Sequence, residues 1–298
     1  MTADWSHKQT IVNDVRLHYV EAGDPDDETI VLVHGFPEFW YSWHHQIPAL
    51  TDAGYHVVAP DMRGYNRSEK PHGVAAYRIS ELSADIAALC REFDAPVHLV
   101  GHDWGGGVVW DVAARTPEVV ETLTVLNAPH PGALEREFRR PNREQLRKSW
   151  YMFYFQLPWL PEWYMTRGNC KALEAIFHGG AVSEDAFTDE DVARYKAAFE
   201  RPGVATSAIN YYRAVIRESV KDSLPFLDSD TAAQHVDVPT LLVWGEGDLA
   251  LVPELTEGLD EWVSDLRIER LPDAGHWVQF DAPERVTTEI LDFVGTSQ

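Results

Sequence analysis

The stretch VHLVGHDWGGGVVW, residues 97 to 110, decides how this chain is read. Val97 to Gly101 is a short apolar, β-rich burst suited to a strand covered on both faces. Asp103 follows at once, and Gly105, Gly106 and Gly107 lead into a helical pattern beginning near Gly106. So sharp a turn from strand to helix holds the Asp103 side chain out at the carboxyl edge of a sheet. Small residues must flank it, because the backbone passes close to itself. This is the pattern of a nucleophile elbow, with aspartate where serine usually stands. An aspartate can also precede a helix merely as its cap, but capping does not call for glycines on both sides.

Outward from the elbow, short apolar bursts at Thr29 to Val33, His56 to Ala59, Leu123 to Leu126 and Thr240 to Trp244 read as further buried parallel strands. Gln9 to Ala22 alternates in the manner of a hairpin. Ile79 to Phe93 and Pro283 to Val294 carry apolar residues at helical spacing and suit crossover helices packed on the sheet. The expectation is an α/β fold with a mostly parallel central sheet flanked by helices. The strand rhythm lapses between about Pro131 and Leu224, where the text turns helical and aromatic. Residues 131–225 are therefore expected to form an inserted helical cap on a core made of residues 1–130 and 226–298. Trp150, Tyr151, Phe153, Tyr154, Phe155, Trp159, Trp163 and Tyr164 crowd into this insertion. Either plain core packing or a cavity wall would account for each of them.

At 298 residues the chain can bury one large core and carry a smaller insertion. Its 48 acidic residues against 25 basic ones give a net charge of -23, which disfavours nucleic acid and anionic membrane as partners. No apolar run approaches the roughly 18 residues of a membrane span, and MTADWSHKQ lacks the layout of a signal peptide. A cytoplasmic location is the expectation. Cys90 and Cys170 show no metal-ligand or redox spacing and read as buried thiols. The acidic, lysine-poor composition suits either high salt or an ordinary acidic cytosolic protein, and both readings stay open.

A carboxylate at the elbow needs no deprotonation to attack, and it attacks best at an sp3 carbon bearing a leaving group or a strained ring. The product is an alkyl ester of Asp103, which a base must then help water to hydrolyse. RLPDAGHWVQFDAPE places His276 in a loop after a strand-like segment and before the last helix, the chain position expected of that base. LLVWGEGDLALV offers Asp248 to orient the histidine, with Glu246 as the rival in the same loop; Asn127 carries no charge and cannot replace either. In VLVHGFPEFWYSW, a tight turn after a strand aims the Phe36 N–H at a developing oxyanion, and the Trp104 N–H is its companion.

With these motifs in hand the chain resembles the α/β-hydrolase superfamily, specifically its epoxide hydrolase branch, over nearly its whole length. HGFPEFWYSW at His34 to Trp43, APDMRGYNRSEKP at Ala59 to Pro71, GHDWGG at Gly101 to Gly106 and AGHWVQFDAPE at Ala274 to Glu284 carry the likeness. The resemblance puts Asp103, Asp248 and His276 on the nucleophile, acid and base. It also implies two cap tyrosines that donate to the epoxide oxygen: Tyr151 in SWYMFYFQ, with Tyr154 its rival, and Tyr212 in INYYRA, with Tyr211 its neighbour. An alkoxide is a poor leaving group and benefits from a donor with a pKa near 10. Phe36, Trp104, Tyr154 and Tyr211 are the expected substrate-binding residues. No metal or organic cofactor is implied, and the expected partner is a small apolar epoxide. Homo-oligomerisation is left open.

Haloalkane dehalogenases share the aspartate nucleophile and a tryptophan directly after it, so Trp104 does not discriminate; their second halide donor is often an asparagine where this chain has Phe36. Fluoroacetate dehalogenases typically carry arginines after the nucleophile, where this chain has Trp104 and three glycines. A noncatalytic hydrolase-fold binding protein would lose catalytic residues that are all present here. Within the epoxide hydrolase pattern, His44 and His45 stand where an arginine is common.

Overall fold

The computed structural model describes residues 5–139, 143–222 and 235–296. In chain order the elements are β1 (Ser6–Val12), β2 (Val15–Ala22), β3 (Thr29–Val33), α1 (Gln46–Asp52), β4 (His56–Pro60), α2 (Ile79–Arg91), β5 (Val97–His102), α3 (Trp104–Arg115) and β6 (Val120–Leu126). Six helices follow: α4 (Pro131–Arg139), α5 (Arg143–Lys148), α6 (Trp150–Tyr154), α7 (Leu160–Gly180), α8 (Asp189–Phe199) and α9 (Val204–Asp222). The chain then returns to the sheet with β7 (Thr240–Gly245) and β8 (Leu266–Leu271), and ends in α10 (Val278–Asp281) and α11 (Pro283–Gly295).

The eight strands form one sheet in the order β1-β2-β4-β3-β5-β6-β7-β8. β1 and β2 pair antiparallel, β2 meets β4 antiparallel, and every other pairing is parallel. Residues of β3, β4, β5 and β7 are buried throughout, which is why those strands read as unbroken apolar bursts rather than alternations. The sheet is thus an α/β hydrolase arrangement with helices on both faces, as the resemblance implied. Among the described residues no strand lies between β6 and β7, in keeping with the lapse of strand rhythm there. The expected boundary at residues 225 and 226 lies outside the described residues.

α3 starts at Trp104, two residues earlier than the glycine cluster suggests, and buries Val108, Val109 and Val112. Each of these valines stabilises the docking by about 1.5–3 kcal/mol. The helix stops at Arg115 because Thr116 leaves helical geometry ahead of Pro117. Cys90 and Cys170 are both buried free thiols. Among the described residues, no helix is long and apolar enough to cross a membrane.

Candidate active site

The elbow is built by β5 and α3. Asp103 has φ 49° and ψ -117°, a region that non-glycine residues enter at a cost of about 1–3 kcal/mol and that the surrounding structure must enforce. Enforcement comes from close backbone approach. A Cβ on Gly105 would stand 2.2 Å from the carbonyl oxygen of Val33, and one on Gly35 would stand 2.6 Å from Cβ of Asp103. The Asp103 side chain makes no capping bond to α3. Instead its Oδ2 accepts from the Phe36 N–H at 2.8 Å, and the nearby Trp104 backbone N–H also favours the charged carboxylate. The two donors expected to hold an oxyanion therefore converge on Asp103. Burial pushes its carboxyl above the usual range, against the pull of His276, His102 and these two N–H groups.

The β8–α10 loop brings His276 over the elbow. Its Nδ1 bonds Oδ2 of Asp248 at 2.8 Å, and its Nε2 lies 3.8 Å from Oδ1 of Asp103. Burial opposes a charge on this imidazole, but Asp248, Asp103 and Glu38 outweigh it and push the pKa up to about 9. Glu246 points into solvent, while Asp248 is buried in the same β7 loop. Asp248 also accepts from the N–H groups of Ala250 and Leu251 and from Nδ2 of Asn127 at 2.8 Å. Burial raises its pKa, and His276 with these donors brings it below the usual value.

Tyr151 on α6 and Tyr212 on α9 line the same cavity as Asp103 and Trp104, a mostly apolar space of about 240 Å³ that runs along α3 past Trp110. Their rings meet edge to face at 5.7 Å, and Tyr212 packs edge-on against Trp104 at 5.1 Å and Phe36 at 5.2 Å. Both phenols are pushed up, by burial first, then by the Asp103 charge for Tyr151 and by Tyr151 and Asp103 for Tyr212, so they stay protonated and able to donate.

Two of the expected substrate contacts lie outside this cavity. Tyr154 lies a helical step from Tyr151 and turns away from this cavity, packing against Trp150 and Tyr164 with its hydroxyl toward the carbonyl of Leu160. Tyr211 is fully buried behind Trp104, where its hydroxyl donates to the Arg63 carbonyl at 2.8 Å. On α9, adjacent residues point about 100° apart, so only one of the pair can face the cavity.

Three supporting residues escaped the sequence reading. Glu38 and His102 are fully buried side by side. Nδ1 of His102 bonds Glu38 Oε2 at 2.9 Å, and its Nε2 bonds the His276 carbonyl at 2.8 Å. Asp281 accepts from Gly275 N at 2.8 Å through one oxygen and from Val182 N and Ser183 N at 2.9 Å through the other, tying the histidine loop to the α7–α8 turn. The EF of HGFPEF and the D of QFDAPE gave the only sequence signal, acids inside apolar motifs. His44 stacks on Tyr41, whose hydroxyl donates to Asp191 on α8. Among the described residues no group of three or more His, Cys, Asp or Glu side chains could hold a metal ion.

With this geometry established, comparison with known proteins places the chain. The model of the α/β hydrolase fold family matches residues 28–283. The AB hydrolase superfamily protein YfhM of Bacillus subtilis is 38% identical over 283 residues, covering 95% of each chain. Human epoxide hydrolase 4 is 36% identical over 94% of this chain and 76% of its own. The crystal structure of Bacillus megaterium epoxide hydrolase in complex with an inhibitor superimposes with a TM-score of 0.83 at 32% identity, covering 97% of this chain and all of that one.

Proposed function

Since the chain belongs to the α/β-hydrolase fold family, in its epoxide hydrolase branch, we propose that it converts an apolar epoxide to a vicinal diol through an ester of Asp103. The single observation that carries this reading is that two protonated phenols, the half-buried Tyr151 and the buried Tyr212, share one apolar cavity with the Asp103 carboxylate. A halide leaves without a proton; an epoxide oxygen does not.

A carboxylate oxygen of Asp103 attacks one ring carbon from behind as that carbon's bond to oxygen breaks. Tyr151 and Tyr212 hydrogen-bond the departing oxygen, and one of them delivers the proton that makes it a hydroxyl, leaving a phenolate. Alkylation removes the Asp103 charge, and with it one of the influences that keep His276 protonated. The imidazolium then gives up its Nε2 proton, which restores the phenol, and the neutral ring can take a proton from water while Asp248 holds its other nitrogen. The hydroxide so formed adds to the ester carbonyl of Asp103. The N–H groups of Phe36 and Trp104 stabilise the oxyanion by roughly 3 kcal/mol each at most, and collapse breaks the ester bond as His276 returns its proton to the leaving alkoxide, releasing the diol and the Asp103 carboxylate. In this scheme residues 131–225 serve as a cap that brings the two tyrosines over the elbow of the core formed by residues 1–130 and 226–298.

The test pairs two assays on one preparation in molar potassium chloride: diol from styrene oxide and bromide from a bromoalkane. Diol without bromide is expected; bromide without diol would make the tyrosines packing residues and the enzyme a dehalogenase. Mass spectrometry then checks the ester. His276→Gln should gain the mass of the epoxide and hold it, whereas Asp103→Ala should gain nothing. No mass gain in the histidine variant, on a substrate the parent turns over, would overturn the two-step scheme.

A further inference from the structure

The aromatic crowding in the helical insertion divides in two. Tyr151 and Phe155 turn inward toward Tyr212 and Phe36. Most of the rest turns outward. Of the ten exposed large hydrophobic side chains among the described residues, seven lie between Leu146 and Tyr164. Six of these, Trp150, Phe153, Leu157, Trp159, Trp163 and Tyr164, fall within residues 150–164, on α6, the turn after it and the start of α7. Tyr154 links Trp150 to Tyr164 by ring contacts at 6.0 and 6.2 Å, and Arg167 lies over both Trp163 and Tyr164. Trp159 is 71% exposed and holds φ 52° at the N-terminus of α7, so a bulky residue occupies left-handed backbone there without gaining burial within the chain.

We propose that this patch is the contact through which two copies of the chain form a dimer. Size is the first argument. Taking about 150–250 Å² for each aromatic side chain, the six exposures amount to on the order of 700 Å², close to the roughly 800 Å² each partner contributes to a stable interface. Composition is the second. Trp, Tyr and Arg are the residues that dominate binding energy at interface centres, and here Arg167 is already seated on Trp163 and Tyr164.

Charge decides the occupant. The chain carries -23 overall, so two copies repel each other over most approaches. Residues 146–171 hold four basic residues, Arg147, Lys148, Arg167 and Lys171, against a single acid, Glu162; the Lys148 ammonium is held by the Asp248 and Leu251 carbonyls, which leaves three to face outward. That acid is committed to Arg213 within the chain. This is a face on which a strongly acidic molecule can meet its own copy without bringing carboxylates together. The same net charge disfavours an anionic lipid surface. α6 presents Trp150 and Phe153 outward and Tyr151 inward, so docking there would brace the helix that carries a proposed proton donor.

Sedimentation velocity of the full chain from 1 to 100 µM, in 0.1 and 2 M potassium chloride, is the experiment. Twice the monomer mass is expected at the high concentration, with the dimer tighter in high salt because the repulsion is screened. Phe153→Glu and Trp163→Glu should each weaken it at least tenfold at an unchanged melting temperature, and the double variant should stay monomeric. A wild-type chain that remains monomeric at 100 µM in 2 M salt overturns the proposal. So does a dimer of unaltered strength in the double variant, or a wild-type monomer that floats with phosphatidylcholine vesicles through the same residues.

Discussion

Nε2 of His276 stands 3.8 Å from Oδ1 of Asp103, near enough for the carboxylate to favour a proton on the imidazole and too far for a hydrogen bond between them. The free site thus holds an imidazolium beside its nucleophile, with a pKa pushed up to about 9. In the proposed scheme, ester hydrolysis needs the same ring neutral. Forming the ester cancels the Asp103 charge, so the pKa relevant to ester hydrolysis lies below that of the free enzyme. Nuclear magnetic resonance of the His276 ring in the resting protein should titrate near 9. The acid limb of single-turnover ester decay should fall at least about one pH unit lower, since a unit charge at this distance is worth up to about 4 kcal/mol near a protein surface. Coincident values would mean that Asp103 does not control its own base.

Replacing either cavity phenol separates proton donation from nucleophilic attack. Tyr151→Phe and Tyr212→Phe should each lower kcat/KM for an epoxide about 10- to 100-fold, and the double variant by about 10³ or more, the range expected when general-acid help is withdrawn. The first-order decay of a preformed ester should change little, because the group that leaves Asp103 is the substrate's own hydroxyalkoxide and the base and proton donor of that step is His276. Equal losses in both steps would indicate a collapsed cavity instead.

The Glu38 and His102 pair sits under the histidine loop with both side chains inaccessible to solvent. Burial raises the Glu38 pKa, and His102, Ser42 and the Gly35 N–H bring it below the usual 4.5. Glu38→Gln leaves His102 without its counter-charge and should cost about 3–5 kcal/mol of stability. Because the folded-state pKa is depressed, Glu38 contributes fully above 4.5 and loses that contribution as pH falls through its lower folded value. Chemical denaturation should therefore show a gap between parent and variant that is constant near neutrality and narrows in acid. A gap that does not change with acid would mean the pair is held by packing rather than charge.

The elbow, the oxyanion turn and the acid and base loops were legible in the sequence because each is a short local motif at a strand's carboxyl end, where spacing alone limits which side chain can face the site. The strands were legible for a related reason: burial on both faces leaves no alternation to confuse the reading. Tyr154 and Tyr211 lie outside the cavity for reasons a sequence does not carry: Tyr211 because adjacent residues on a helix point about 100° apart, and Tyr154, three residues from Tyr151, because its ring packs against Trp150 and Tyr164. Glu38, His102 and Asp281 were missed since their roles arise from pairings 64 and 174 residues apart for His102, and from the turn at Val182 for Asp281.

Beyond the site, a group of acidic residues gathers at the opposite end of the sheet. Glu21, Asp26, Asp27, Glu28, Glu92, Asp94 and Glu121 border one recess at the amino ends of β3 to β6. Carboxylates so close together repel, and that repulsion is felt over about 10 Å in 0.1 M salt but only about 3 Å at 1 M. The melting temperature should accordingly rise on going from 0.1 to 2 M potassium chloride by at least about 3 °C, which for a chain of this size corresponds to roughly 1 kcal/mol. General salting-out would raise it as well, so the comparison that isolates charge is a variant with Asp94→Asn and Glu121→Gln. Two fewer charges in the recess should raise stability in low salt and shrink the gain from high salt. If parent and variant gain equally, the recess is not the source of the salt response; if neither gains, the composition reflects an ordinary acidic protein and not adaptation to brine.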